Sequence, residues 1–133
     1  MGSTAPAETP TLIWMESVYD LFRRGTDLLE AGDYHAATVP LARARDLEPE
    51  KASIREALGR AFFHCARFEQ ARGEFAAVVE RAPTNDYALF CLGRSLQRLG
   101  RHAEARHPLA VAAHLRPERR DYRIYRDRSR KAA

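Results

Sequence analysis

Ala57-Leu58-Gly59-Arg60-Ala61-Phe62, followed by Ala71, Phe75 and Pro83, is a skeleton that the chain uses three times. Thirty-four residues later it returns as Leu92-Gly93, Leu96, Ala105, Leu109 and Pro117; thirty-four residues earlier it stands as Arg24-Gly25, Leu28, Ala37, Leu41 and Pro49. A fixed period of this length means that one supersecondary unit is repeated and stacked. In the middle copy, apolar residues at helical spacing predict a helix A from about Ala52 to His64 and a helix B from about Phe68 to Arg81. Leu58, Phe62, Ala71, Phe75 and Val78 bury one face of this hairpin, and Gly59 and Ala71 are small where the two axes cross. A hairpin of this size leaves its flanks uncovered, so its stability has to come from the next hairpin. Pro83 ends the unit by denying helix B a backbone donor, and Pro49 and Pro117 act alike in their copies. The turn between helices A and B is three residues long. Gly32 and Gly100 supply its left-handed position without steric cost, whereas Ala66 takes that position in the middle copy at some cost in strain.

This order of residues, apolar-Gly-x-x-aromatic, then Ala-x-x-x-aromatic, then Pro, resembles the tetratricopeptide repeat over residues 18–117. The resemblance implies an all-α, right-handed solenoid of three helix-turn-helix hairpins, at residues 18–51, 52–85 and 86–119, closed by a capping helix at about 118–130. It also implies a non-catalytic activity, the holding of another polypeptide on the concave wall made by successive A helices, as an adaptor or assembly chaperone does. The positions that face this wall are Tyr19, Phe22, Thr26, Leu29 and Glu30, then Ser53, Glu56, Arg60, Phe63 and His64, then Tyr87, Phe90, Arg94, Gln97 and Arg98. Their spacing puts each set on one helix face. The partner-binding candidates among them are Tyr19, Phe22, Thr26, Glu56, Arg60, Phe63, His64, Tyr87, Phe90, Arg94, Gln97 and Arg98. Phe22, Phe63 and Phe90 serve either as anchors for a ligand or as packing between adjacent A helices. Arg60, Arg94 and Arg98 outnumber Glu30 and Glu56, so the expected partner is a peptide with apolar or aromatic anchors and with acidic groups lying near the third unit. Arg94 and Arg98, one turn apart, either grip a carboxylate or phosphate together, or Arg98 answers the negative end of its own helix.

The carboxylate-clamp kind of repeat, which holds the C-terminal tails of cytosolic chaperones, carries a Lys and an Asn in the first A helix, an Asn in the second, and a Lys and an Arg in the third. The matching positions here are Phe22, Thr26, Ala57, Tyr87 and Cys91, and none fits. Adaptors of that kind are therefore argued against.

At 133 residues the chain is long enough for one continuous core without disulfides or metals. Residues 1–10 read as a disordered leader and 11–133 as a single domain. Cys65 and Cys91 have no paired spacing, which suits a reducing, cytoplasmic location. No apolar run reaches membrane-spanning length, and the first ten residues lack the make-up of a signal sequence. Residues 118–133 hold seven basic and three acidic side chains, so the whole net charge of +4 sits in the tail and the repeat body is neutral. Nucleic acid is accordingly an unfavoured partner, with one RNA-binding alternative in the alternation Tyr122, Arg123, Tyr125, Arg126, Arg128, Arg130. His35, His64, His102, His107 and His114 are scattered, and His64 and Cys65, adjacent on a helix, point about 100° apart. We expect no enzyme activity, no cofactor and no metal.

Three further expectations concern the ends and the B helices. The apolar run Leu12-Ile13-Trp14-Met15 continues into Val18, Leu21 and Phe22 as one long helix. It either covers the open end of the stack or forms a self-association surface, and so a homodimer, anchored by Trp14. Asp33 is a good N-cap for the first helix B, and Pro40 and Pro108 should bend helix B in the outer units, where the middle unit has Glu74. In the tail, Tyr122 and Tyr125 are the inner face of the closing helix.

Overall fold

In a computed structural model of the chain, residues 16–132 are described. They form α1 (Val18–Glu30), α2 (Tyr34–Leu47), α3 (Ala52–His64), α4 (Phe68–Arg81), α5 (Asp86–Arg98), α6 (His102–Leu115) and α7 (Arg120–Lys131). Each helix packs on its neighbours in sequence, α1 also touches α3, and α5 also touches α7. The result is an all-α solenoid of three antiparallel hairpins with α7 laid over its end.

The close crossing within each hairpin depends on glycine. A Cβ on Gly59 would lie 2.7 Å from the Phe75 ring, and one on Gly25 or Gly93 would run into Leu41 or Leu109. Ala37, Ala71 and Ala105, at equivalent places on the B helices, have no exposed surface. The main core joins Leu29, Leu41, Leu58, Phe62 and Phe75 across the first two hairpins, and a second group of Leu89, Ala112, Ala113 and Tyr122 reaches under α7.

The three A-to-B turns share one hydrogen-bond pattern. The amides of Asp33, Arg67 and Arg101 donate to the carbonyls of Leu28, Phe62 and Leu96 at 2.8, 2.8 and 2.9 Å. This closure needs a left-handed residue, which is Gly32 (φ 80°), Ala66 (φ 65°) or Gly100 (φ 78°). Only Ala66 carries a Cβ into that region, as expected. Asp33, by contrast, makes no side-chain capping bond. Its backbone conformation is shared by Arg67 and Arg101, so the turn itself starts these helices.

One more expectation is revised. Helix α1 does not run on from Leu12. Ser17 is extended (ψ 161°), and its hydroxyl accepts the Asp20 amide at 3.1 Å, so the helix begins at Val18. Leu12, Ile13, Trp14 and Met15 lie outside the described residues. Pro40 and Pro108 are buried, and α2 and α6 continue across them. At the equivalent place in α4, Glu74 is also buried, where it receives Arg45 of α2 at 2.5 Å and Arg55 of α3 at 2.9 Å. In the middle unit the position thus carries an ionic link both to α3 and to the preceding hairpin.

Candidate functional site

The A helices α3 and α5 do not close fully on one another. Between them lies a cavity of about 170 Å³ lined by Arg60, Phe63, His64, Phe75, Tyr87, Phe90, Cys91 and Arg94. The α3 residues Arg60, Phe63 and His64 share one face at spacings of three and four, as do Tyr87, Phe90, Cys91 and Arg94 on α5. Phe75 reaches in from α4, edge-on to Tyr87 with ring centres 6.4 Å apart. The interior is apolar and aromatic, and Arg60 and His64 stand exposed at the rim.

The groups inside are electrically quiet. Burial pushes the Cys91 thiol up to about 12, and it pushes the Tyr87 phenol well above its usual range, so both are neutral at pH 7. His64 is held below its usual value, first by burial and then by the Arg60 charge, and is neutral there too. The positive character of the rim therefore comes from arginine. Among the described residues, none of Arg60, Arg94 and Arg98 has a carboxylate within 4.0 Å.

The expected wall residues divide into several groups. Arg60, Phe63, His64, Tyr87, Phe90 and Arg94 meet at the cavity. Tyr19 is 67% exposed on α1, away from it, and Phe22 packs on the core between the first two hairpins. Thr26 turns its hydroxyl back to the Arg23 carbonyl at 3.0 Å. Glu56 accepts from Asn85 Nδ2 at 2.7 Å, linking the second hairpin to the third. Gln97 donates to the Tyr125 carbonyl at 3.0 Å, which fastens α7 to α5. Phe90 has two contacts here. It lines the cavity and also stacks on Tyr122, ring centres 4.5 Å apart.

Arg94 and Arg98 are not a free pair. The Arg94 guanidinium carbon lies 3.9 Å from the centre of the Tyr125 ring, and that of Arg98 lies 4.5 Å from the Phe68 ring. Aromatic faces attract and hold both cations. Tyr122 and Tyr125 are indeed the inner face of the last helix. Tyr122 has no exposed surface and donates to Asp86 at 2.8 Å, while Tyr125 carries arginine on its ring. The alternation of tyrosine and arginine in the tail is thus no open platform for stacking bases.

Tyr34, Cys91, Phe75 and Tyr125 also belong to this wall, and the reading of A-helix positions alone missed them. Tyr34 stacks on His64 with ring centres 4.5 Å apart. One repeat on, Phe68 receives Arg98 in the same way. The signal was in the period: Tyr34 and Phe68 each open a helix B, and His64 and Arg98 each close a helix A.

A wider depression of about 740 Å³ opens on the opposite side, between α2 and α4, lined among others by Val39, Arg45, Arg72 and Glu74. Its charges are largely satisfied within the chain. Arg45 meets Glu74, and Arg72 forks onto Glu69 at 2.5–3.0 Å.

Two family models, both described as tetratricopeptide repeat, match residues 28–90 and 66–120, which together span most of the three hairpins. The chain belongs to the tetratricopeptide repeat family. Solved structures of similar shape include the Arabidopsis OM64 TPR domain (TM-score 0.82, 21% identity, 90% of this chain and 98% of that one). The first TPR of Spaghetti (RPAP3) bound to HSP90 peptide SRMEEVD is also similar (TM-score 0.81, 17% identity, 86% and 91%). So is MamA of MSR-1 (TM-score 0.78, 24% identity, 86% of this chain), of which the chain spans 66%, just under two thirds. At these identities the likeness is one of fold. A search among curated proteins found no match. None of the helices described here is long and apolar enough to cross a membrane.

Proposed function

We propose that this tetratricopeptide repeat protein is a non-catalytic interaction module that holds a partner peptide, as an adaptor or assembly chaperone, on the wall formed by α1, α3 and α5. The observation that carries the reading is the apolar cavity between α3 and α5 with uncompensated arginines around it. Such a site receives one large apolar or aromatic side chain and favours acidic neighbours. The similar RPAP3 domain, bound to an HSP90 peptide, supports peptide capture as a use of this fold. The clamp positions Phe22, Thr26, Ala57, Tyr87 and Cys91 argue for a different anchoring chemistry here, with the side chain in the cavity leading. The free thiols Cys65 and Cys91 suit a cytoplasmic setting.

The test is calorimetric titration with a synthetic peptide that carries one leucine or phenylalanine beside glutamates, against wild type and Arg60→Glu. Arg60 is exposed, so the variant should fold normally and bind much more weakly. Equal affinity in the two proteins would move the site off this wall.

A further inference from the structure

Several arginines at and within α7 have partners of their own: Arg119 pairs with Asp121, Arg126 and Arg130 both pair with Asp127, and Arg123 donates to the Pro117 carbonyl. Arg128, among the described residues, has no carboxylate within 4.0 Å; its guanidinium carbon lies 4.6 Å from the centre of the Tyr125 ring. That ring also holds Arg94 at 3.9 Å. Arg94 is further placed by its bond to Gln97 at 3.2 Å, and Gln97 is fixed in turn to the Tyr125 carbonyl. Arg98 stands one turn along α5, on Phe68. Three cations without carboxylate partners are therefore collected at the junction of α5 and α7, each positioned by an aromatic ring rather than by an acid. The arrangement is electrostatically costly by itself. Arg94 is lowered, first by burial, and the neighbouring charges of Arg98 and Arg128 act in the same direction.

We propose that α7 is part of the binding site, with Arg128 joining Arg94 and Arg98 to receive a run of acidic side chains on the partner, next to the cavity that takes its apolar residue. This rests on the peptide-binding reading given above. Arg94 lines the cavity and also belongs to the cluster, so the acidic run follows closely on the apolar anchor. The guanidiniums sit on two separate rings, which suits several carboxylates spaced along a chain better than one compact anion. The cap of the solenoid then has a second use. It is the source of both the ring that orients Arg94 and one of the three charges.

Fluorescence anisotropy with the full chain and a labelled peptide, one leucine followed by four glutamates, tests this. Arg128→Gln should weaken binding about tenfold and flatten its salt dependence. Arg130→Gln, which removes an arginine already paired to Asp127, should leave affinity unchanged. Circular dichroism confirms that each variant is folded. If Arg128→Gln binds like wild type while Arg60→Glu does not, α7 is only a cap and the wall reading stands. If this peptide does not bind wild type, both readings fall. Stronger binding of a single-stranded oligonucleotide than of the acidic peptide would overturn the assignment of the cluster to a protein partner.

Discussion

The side of the solenoid carrying α3 and α5 and the side carrying α2 and α4 use arginine in opposite ways. On the α2 and α4 side, Arg45 converges on buried Glu74, where Arg55 reaches it from α3, and Arg101 bridges Glu69 and Glu104. On the α3 and α5 side, Arg94 and Arg98 lie on aromatic rings and Arg60 stands exposed, with no carboxylate within reach among the described residues. Paired arginines spend their charge inside the molecule, and the Arg45–Glu74 and Arg101–Glu69 pairs tie one hairpin to the next. Ring-held arginines keep theirs unneutralised. Since exposed ion pairs contribute little, most of the pairs on the first side do not decide stability. Glu74 is the exception, because its side chain is only 8% exposed and two cations depend on it.

The comparison breaks altogether if the hairpins do not form, so Gly59→Leu should have the largest effect. The added side chain would collide with Phe75, and overpacking of this kind costs ~1–3 kcal/mol or more. Thermal melting followed by circular dichroism checks it, and an unchanged midpoint would mean that the crossing tolerates bulk.

Glu74→Ala sharpens the contrast from the paired side. It strands Arg45 and Arg55, and the loss should approach, without reaching, the roughly 3–5 kcal/mol of a fully buried broken pair, because both arginines are still partly reached by water. Denaturant unfolding should show the loss, while affinity for an acidic peptide stays the same in the protein that remains folded.

From the other side, the double change Arg94→Glu with Arg98→Glu should weaken binding of an acidic peptide by ~2–5 kcal/mol if those groups are desolvated in the complex. It should also lower stability slightly, by about 0.5–1 kcal/mol for each cation taken off its ring. Titration calorimetry and melting on the same two proteins separate the effects. A fall in stability with affinity intact would make these arginines structural after all.

The smallest effect is expected from His64. Its folded value is lowered, so the unfolded chain binds the proton more readily, and the associated stability is present above about 6.5 and lost as pH falls through the lowered value. Acidic peptides should meanwhile bind somewhat better as the rim gains a charge. NMR titration of the imidazole gives the sign directly, and a value above that of a free histidine would reverse the stability statement.

Repetition made much of the fold legible. The thirty-four-residue period located every hairpin, and the glycines at 25, 59 and 93 marked the crossings because no side chain fits there. It also put Ala66 in a left-handed position, since Gly32 and Gly100 hold the equivalent places. Each of these follows from local geometry that is the same in every copy. Ser17 shows the limit: apolar spacing suggested a continuous helix, and one hydroxyl bonding one amide ended it. Six of the wall positions met at a cavity, but composition alone left open whether their phenylalanines faced a ligand or the core. The destination of each charge was not legible, because it depends on partners far apart in the chain. Arg45 finds Glu74 at a separation of 29 residues, and Tyr122 finds Asp86 at 36. Sequence period determined which helices exist and where they turn. Only packing between repeats decided which arginines were neutralised and which were left on their rings, because pairing is set by distances that arise once the hairpins stack.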